Sequence, residues 1–311
     1  MPYDRISAKR LITTSVLQKL QEPRPWPWLR DVAFDWALIV AAMAAACLTL
    51  HPLVILLSLF VLGNRQHALA LLGHDGTHYT ITKRKRLNDA LTDYLTWIPL
   101  GLTNDGYRTL HHQHHTHLGT EQDPEVQYKG VRGEHWDLPT TPGQVIARCL
   151  LDLVGGGFKD YHIIFSLSMP DNADLARTAA RRRKAVHAAF VALSGAAALL
   201  NPAFLLLPAL WYGALVTTFI MFFRLRLWLE HQGTDTAHRL RLKVWQAGLL
   251  APHLCWHHWE HHMWPTVPYS NLPAIRKLLP DEPLISLMDL VRFYRDSPGH
   301  PAGHPTAMAR I

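Results

Sequence analysis

Cysteine is scarce in this 311-residue chain. Only Cys47, Cys149 and Cys255 occur, too few and too scattered for a disulfide framework or a thiolate metal site, and they fit reduced thiols facing the cytosol. Charge is also in short supply. Asp, Glu, Lys and Arg make up 18% of the residues against 49% apolar, a balance foreign to an ordinary soluble domain and suited to a chain that lies partly in lipid. The first 31 residues lack the short apolar run and small-residue cleavage site of a secretory signal, so no processing is expected. No GxxxxGK[ST] loop is present, and Gly155-Gly156-Gly157 without one reads as a hinge. Acidic residues are outnumbered, giving a formal net charge of +7. The surplus sits in short blocks beside apolar runs, Lys83-Arg84-Lys85-Arg86 and Arg181-Arg182-Arg183-Lys184. Anionic lipid headgroups explain such blocks better than nucleic acid does.

What the chain has instead is long uncharged runs. Trp26 and Trp28, interleaved with Pro23, Pro25 and Pro27, read as interfacial anchors at a membrane entry. Residues 32–72 carry little charge beyond Asp35 and Arg65 and are interrupted by Leu50-His51-Pro52. They read as two spans, 32–50 and 53–72, each reaching about 28 to 30 Å at 1.5 Å per residue. Residues 90–102 are too short to cross and suit an interfacial or re-entrant helix. A second hairpin follows over 185–200, a turn at Asn201-Pro202, and 203–223, the last without a charge in 21 residues. The basic blocks lie on one side of this scheme and the hairpin turns carry no Lys or Arg, which places the blocks in the cytoplasm.

The expected fold class is therefore an all-α integral membrane protein, with four transmembrane helices in two hairpins and a cytoplasmic helical cap. Its parts would be an interfacial segment 1–31, hairpin 32–72, cytoplasmic region 73–184, hairpin 185–223, cytoplasmic region 224–296 and a disordered tail 297–311, with 286–294 a short amphipathic helix. Both termini would be cytoplasmic, in the inner or plasma membrane if the source is bacterial.

Histidine is the residue in excess, 21 in all. In HHQHHTH, residues 111–117, a helix would place His111, His114 and His115 at i, i+3 and i+4, on one face, with His112 turned away. His74 and His78 stand at i, i+4, and His258, His261 and His262 repeat the i, i+3, i+4 spacing. Neutral imidazole suits Zn, Cu, Fe or Ni rather than Mg or Ca. One zinc takes about four ligands, so eight imidazoles suggest two ions or one ion with bystanders. His67, one turn inside the second span, is ambiguous. Asp75 and Glu260 adjoin these histidines in sequence, Asp123 lies just beyond them, and Glu230 adjoins His231. They are candidates to accept ring N–H bonds and fix tautomers.

The motifs HDGTH, HHQHH followed by GTEQDPE, and HHWEHHMWPTVPYSNLP resemble the three histidine boxes of the membrane fatty acid desaturase family, over residues 73–279. That resemblance implies a nonhaem di-iron centre that uses O2 to remove or replace hydrogens on an unactivated acyl carbon. It implies nine ligands: His74, His78, His111, His114, His115, His231, His258, His261 and His262, with His231 in LEHQGT matching the one outside the boxes. It also implies no catalytic residue separate from the ligands, and an apolar substrate tail among the spans. The HPGG motif of a fused cytochrome b5 domain is lacking, so electrons would come from a separate carrier. That carrier would be a ferredoxin, or a cytochrome b5 type with its reductase, meeting the basic surface. Desaturation of a lipid acyl chain is the expected activity. A hydroxylase or ketolase acting on a fatty or carotenoid substrate is the alternative within the family. A divalent-metal transporter or metal-binding membrane protein fits less well, because the fourth run is purely apolar and the clusters lie outside the spans.

Overall fold

The computed structural model describes residues 11–132, 136, 141–231, 237–279 and 284–296; the expected tail 297–311 lies outside them. Among the described residues regular structure is helical, with one isolated bridge between Leu240 and Ile285. A short helix α1 (Thr14–Leu20) leads into α2 (Pro25–Thr49), and Leu50 then adopts a left-handed turn at φ 50°. Proline at the first position of α2, and again of α3 (Pro52–Thr77), costs no hydrogen bond there because that N–H has no helical acceptor. α2 thus starts earlier than expected. Trp28 is buried with its Nε1 donating to the Leu72 carbonyl at 2.9 Å, so it is a packing residue and not an interfacial anchor. Trp26 is exposed.

α3 is the axis of the molecule. Its first turns show Leu53, Leu56 and Leu57 outward, while residues from Leu62 to Thr77 are almost all buried. The two charges in the first hairpin neutralise one another: Arg65 Nη1 lies 2.9 Å from Asp35 Oδ1, and His253 Nε2 meets the other Asp35 oxygen at 2.7 Å. The close approach of α11 (Thr218–Glu230) depends on Gly63, where a Cβ would fall 2.1 Å from Thr218 Oγ1.

After α3, helix α4 (Lys85–Thr92) runs into a π turn, Asp93–Trp97, that packs on α3. α5 (Asn104–His117) carries the second box. α6 (Pro124–Arg132), α7 (Pro142–Leu153) and α8 (Phe158–Leu167) follow, and α9 (Ala173–Ala198) begins the second hairpin. A 3-10 turn, Pro202–Leu205, opens α10 (Leu206–Val216). α11 (Thr218–Glu230) continues it after a break at Thr217, whose backbone (φ −124°, ψ −90°) is not helical. α12 (Val244–Leu250), α13 (His258–Met263), α14 (Leu272–Leu278) and α15 (Leu287–Asp296) complete the chain, α15 covering most of the short helix expected there.

Three stretches are long and apolar enough to cross a membrane: Thr14–Thr49, Pro52–Thr77 and Pro202–Glu230. A fourth, expected over residues 185–200, is not among them. Helix α9 devotes its first half to Arg177, Arg181, Arg182, Arg183 and Lys184. The 14 residues left from 185 to 198 reach about 21 Å, short of the roughly 30 Å hydrocarbon layer. Its basic half is tied to the histidine end of the protein, since Arg182 pairs with Asp93 and, at 3.4 Å, with Asp105. Cysteines placed at the exposed Lys85 and Lys184 should therefore react with an impermeant maleimide from one side of the membrane, and a cysteine at His51 from the other. Labelling of Lys85→Cys and Lys184→Cys from opposite sides would break this arrangement.

Candidate metal centre

The centre is assembled from four helix ends. His74 lies in the last turn of α3 and His78 caps it. α5 presents His111, His114 and His115 on its buried face, while His112 is exposed, as the helical rotation of about 100° per residue requires. α13 is only six residues long, HWEHHM, and buries all three of its histidines. His231 follows the end of α11.

The nine imidazoles divide into two adjoining groups. In the first, His74, His78, His111, His115 and His261 bring one nitrogen each to within 4.8 Å of one another. His78 and His111 approach Nε2 to Nε2 at 3.0 Å, His111 and His115 at 2.9 Å, and His115 and His261 at 3.1 Å. His74 Nε2 is buried with no hydrogen-bond partner. The second group holds His114, His231 and His262, and His231 is shared with His258 and Glu230. Here the Nε2 atoms of His231 and His258 lie 2.7 Å apart, and those of His258 and His262 3.0 Å. Nitrogens converging on one another, with no acceptor set between them, are the donor set an N-ligated cation fits.

Burial enforces that chemistry. It pushes His78 down to about 3 and His111, His258, His261 and His262 well below the usual imidazole range. These rings are held neutral, each with a lone pair to give. His114 is different: burial lowers it, but the Asp123 hydrogen bond and the charges of Glu125 and Asp123 prevail and raise it. Its Nδ1 donates to Asp123 Oδ1 at 2.9 Å, which leaves Nε2 facing the centre.

The four carboxylates expected near the rings do not act alike. Asp123 reaches His114, and Glu230 Oε2 lies 3.5 Å from His258 Nε2. Asp75 instead accepts from Thr80 Oγ1 at 2.6 Å and from the Tyr269 backbone N–H at 2.9 Å, pinning the end of α3 to the segment after α13. Glu260 faces away from the rings, paired with Arg239 at 3.0 Å and Arg276 at 2.7 Å. Helical rotation sets this: neighbours in sequence leave opposite faces. His257 is likewise turned off, its Nδ1 on the Leu254 carbonyl, but it is buried and not a surface bystander.

Sequence reasoning passed over Glu125, 3.9 Å from His114 and paired with Lys129, and Tyr107, stacked on His111 with centroids 5.3 Å apart. The only signal for Glu125 was its place in Asp123-Pro124-Glu125. Nothing in the local pattern marked Tyr107. Below both groups lies a cavity of about 110 Å³ whose walls include Trp97, Leu102, Phe165, Phe219 and Phe223, with His74, His111, His114, His231 and His258 at its polar side. His67, ambiguous in sequence, lines it too, buried with neither ring nitrogen partnered.

The family model described as Fatty acid desaturase matches residues 49–284. A dihydrorhizobitoxine desaturase of Bradyrhizobium elkanii is 26% identical over 273 residues, covering 81% of this chain and 75% of that protein. An sn-1 acyl-lipid omega-3 desaturase (ferredoxin) of Nostoc sp. (strain 36) is 33% identical over 72 residues, 23% of this chain and 20% of its own.

Proposed function

Since this chain belongs to the fatty acid desaturase family, we propose that it is a membrane-bound di-iron, O2-dependent desaturase that introduces a double bond into an unactivated acyl chain. The observation that carries this reading is the stacking of two imidazole groups directly over an apolar cavity. Two irons, when bound there, supply the oxidant made from O2 and two electrons that an alkyl C–H bond requires. His74, His78, His111, His115 and His261 would hold one, and His114, His231, His258 and His262 the other. The cavity's aromatic and aliphatic walls hold the reacting methylenes against the histidine face and exclude water, so that positioning contributes to the rate. Asp123 keeps His114 in one tautomer and Glu260 anchors α13, so the nitrogens do not have to be ordered during turnover.

Overall, two hydrogens leave adjacent carbons and O2 takes these, two electrons and two protons to become two waters. The electrons come from a separate carrier, a ferredoxin or a cytochrome b5 type with its reductase. The exposed block Lys83 to Arg86 offers such an acidic protein a landing surface on the same side as the basic start of α9, which we place in the cytoplasm.

Lipid analysis of cells expressing the chain should show an acyl product lighter by two hydrogens. His231→Ala should abolish that product and lower bound iron, while His112→Ala, exposed and off the centre, should cost stability no more than about 0.5 kcal/mol and keep both. A product carrying an added oxygen would replace desaturation by hydroxylation. Full iron and product in His231→Ala would remove His231 from the ligand set.

A further inference from the structure

Glu230 stands out from the other acids around the centre. It is the last residue of α11, immediately before His231, and its backbone carbonyl accepts from the His238 N–H at 2.8 Å, which fixes the helix end. Its two carboxylate oxygens have different surroundings. Oε1 accepts from Arg226 Nε at 2.8 Å, one helical turn back. Oε2 is buried and accepts no hydrogen bond from any described residue. It lies 3.5 Å from His258 Nε2 and shares one small volume with the donor nitrogens of His231 and His258.

A buried carboxylate oxygen without a donor is costly, because it has surrendered water and gained nothing in exchange. Asp123 and Glu260, equally buried, show the usual solution: Asp123 takes an imidazole and backbone N–H groups, and Glu260 takes two guanidinium groups. Glu230 Oε2 has no such donor, and it shares one small volume with nitrogens of His231 and His258. One cation would satisfy all three.

We propose that Glu230 is a direct ligand of the second metal, bound through Oε2 while Arg226 steadies Oε1. This rests on the di-iron reading above and goes beyond it. The two ions would be unequal: five neutral imidazoles on one, and imidazoles plus a single carboxylate on the other. An anionic oxygen donor favours the more oxidised ion, so the second iron would be the one more easily held as ferric.

The test compares wild type with Glu230→Gln, which keeps shape and an oxygen for Arg226 but removes the anionic donor. Both are loaded with ferrous 57Fe under anaerobic conditions. Against a chelator, one of the two irons should leave Glu230→Gln at least about tenfold faster than wild type. The iron that remains should give one of the two wild-type Mössbauer doublets unchanged. Infrared difference spectra of wild type labelled with 13C-carboxyl glutamate should show a glutamate stretch that shifts on metal loading and is missing in Glu230→Gln. Glu125→Gln should leave that band in place. Retention of both irons at the wild-type rate with both doublets intact would reduce Glu230 to an ion-pair partner of Arg226. If the variant does not accumulate, the absence of any metal-sensitive glutamate band in wild type overturns the assignment equally. A wild-type chain that takes up no iron fails the di-iron reading itself, and this inference with it. Two irons in wild type with an indifferent Glu230→Gln fails this inference alone.

Discussion

His261→Ala is expected to leave a folded protein that makes no detectable product and holds about one iron or less per chain instead of about two. The ring centroid of His261 lies 4.4 Å from that of His74, 4.8 Å from His78 and 5.0 Å from His115. It is the only member of the first group supplied by α13, joining elements 146 positions apart in the chain. Removing it opens the first group on the side facing α13 and leaves four nitrogens from α3 and α5. Iron by mass spectrometry and product by gas chromatography on the same preparation check the result. Two irons with near wild-type product would place His261 outside the ligand set. Zinc at one per chain, without iron, would overturn the di-iron reading altogether.

Arg224→Met is expected to cause the largest loss of stability. Arg224 is 1% exposed and binds Asp152 at 2.7 Å and Asp160 at 2.9 Å, both carboxylates equally buried, with its guanidinium 4.3 Å above the Trp136 ring. These contacts fasten α7 and α8 to α11, the helix that delivers Glu230 and His231. Methionine fills the space but removes the guanidinium that the two buried carboxylates share. Breaking a buried ion pair from one side costs about 3–5 kcal/mol, a large part of the total stability of an ordinary domain. The variant should accumulate poorly and elute as aggregate from size exclusion in mild detergent. Arg224→Met combined with Asp152→Asn and Asp160→Asn, which removes all three charges, should recover much of the monodisperse peak. A single Arg224→Met melting within about 2 °C of wild type would show that these carboxylates do not depend on Arg224.

The sequence by itself determined which histidines stand together as sets. An i, i+3, i+4 spacing is a property of one helix and needs no partner, so His111, His114 and His115 share a face wherever α5 sits, and His112 does not. The first hairpin was equally legible, because the largely apolar run over 53–72 in α3 and a Leu50-His51-Pro52 interruption are local facts. The second hairpin was legible only in part. Its apolar run in α9 shares a helix with five basic residues, and helix length alone does not say how much of it lies in lipid.

Tertiary packing decided everything that depends on two distant faces meeting. It divided nine histidines into a group of five and a group of four, and turned Asp75 and Glu260 away from the rings to Tyr269 and to Arg239 and Arg276. It also matched the two charges of the first hairpin, Asp35 and Arg65, across α2 and α3. The physical reason is the range of the forces. Backbone hydrogen bonding orders side chains along one helix within a few residues. The neighbour that a carboxylate or imidazole finally meets is set by burial of apolar faces between helices far apart in the chain.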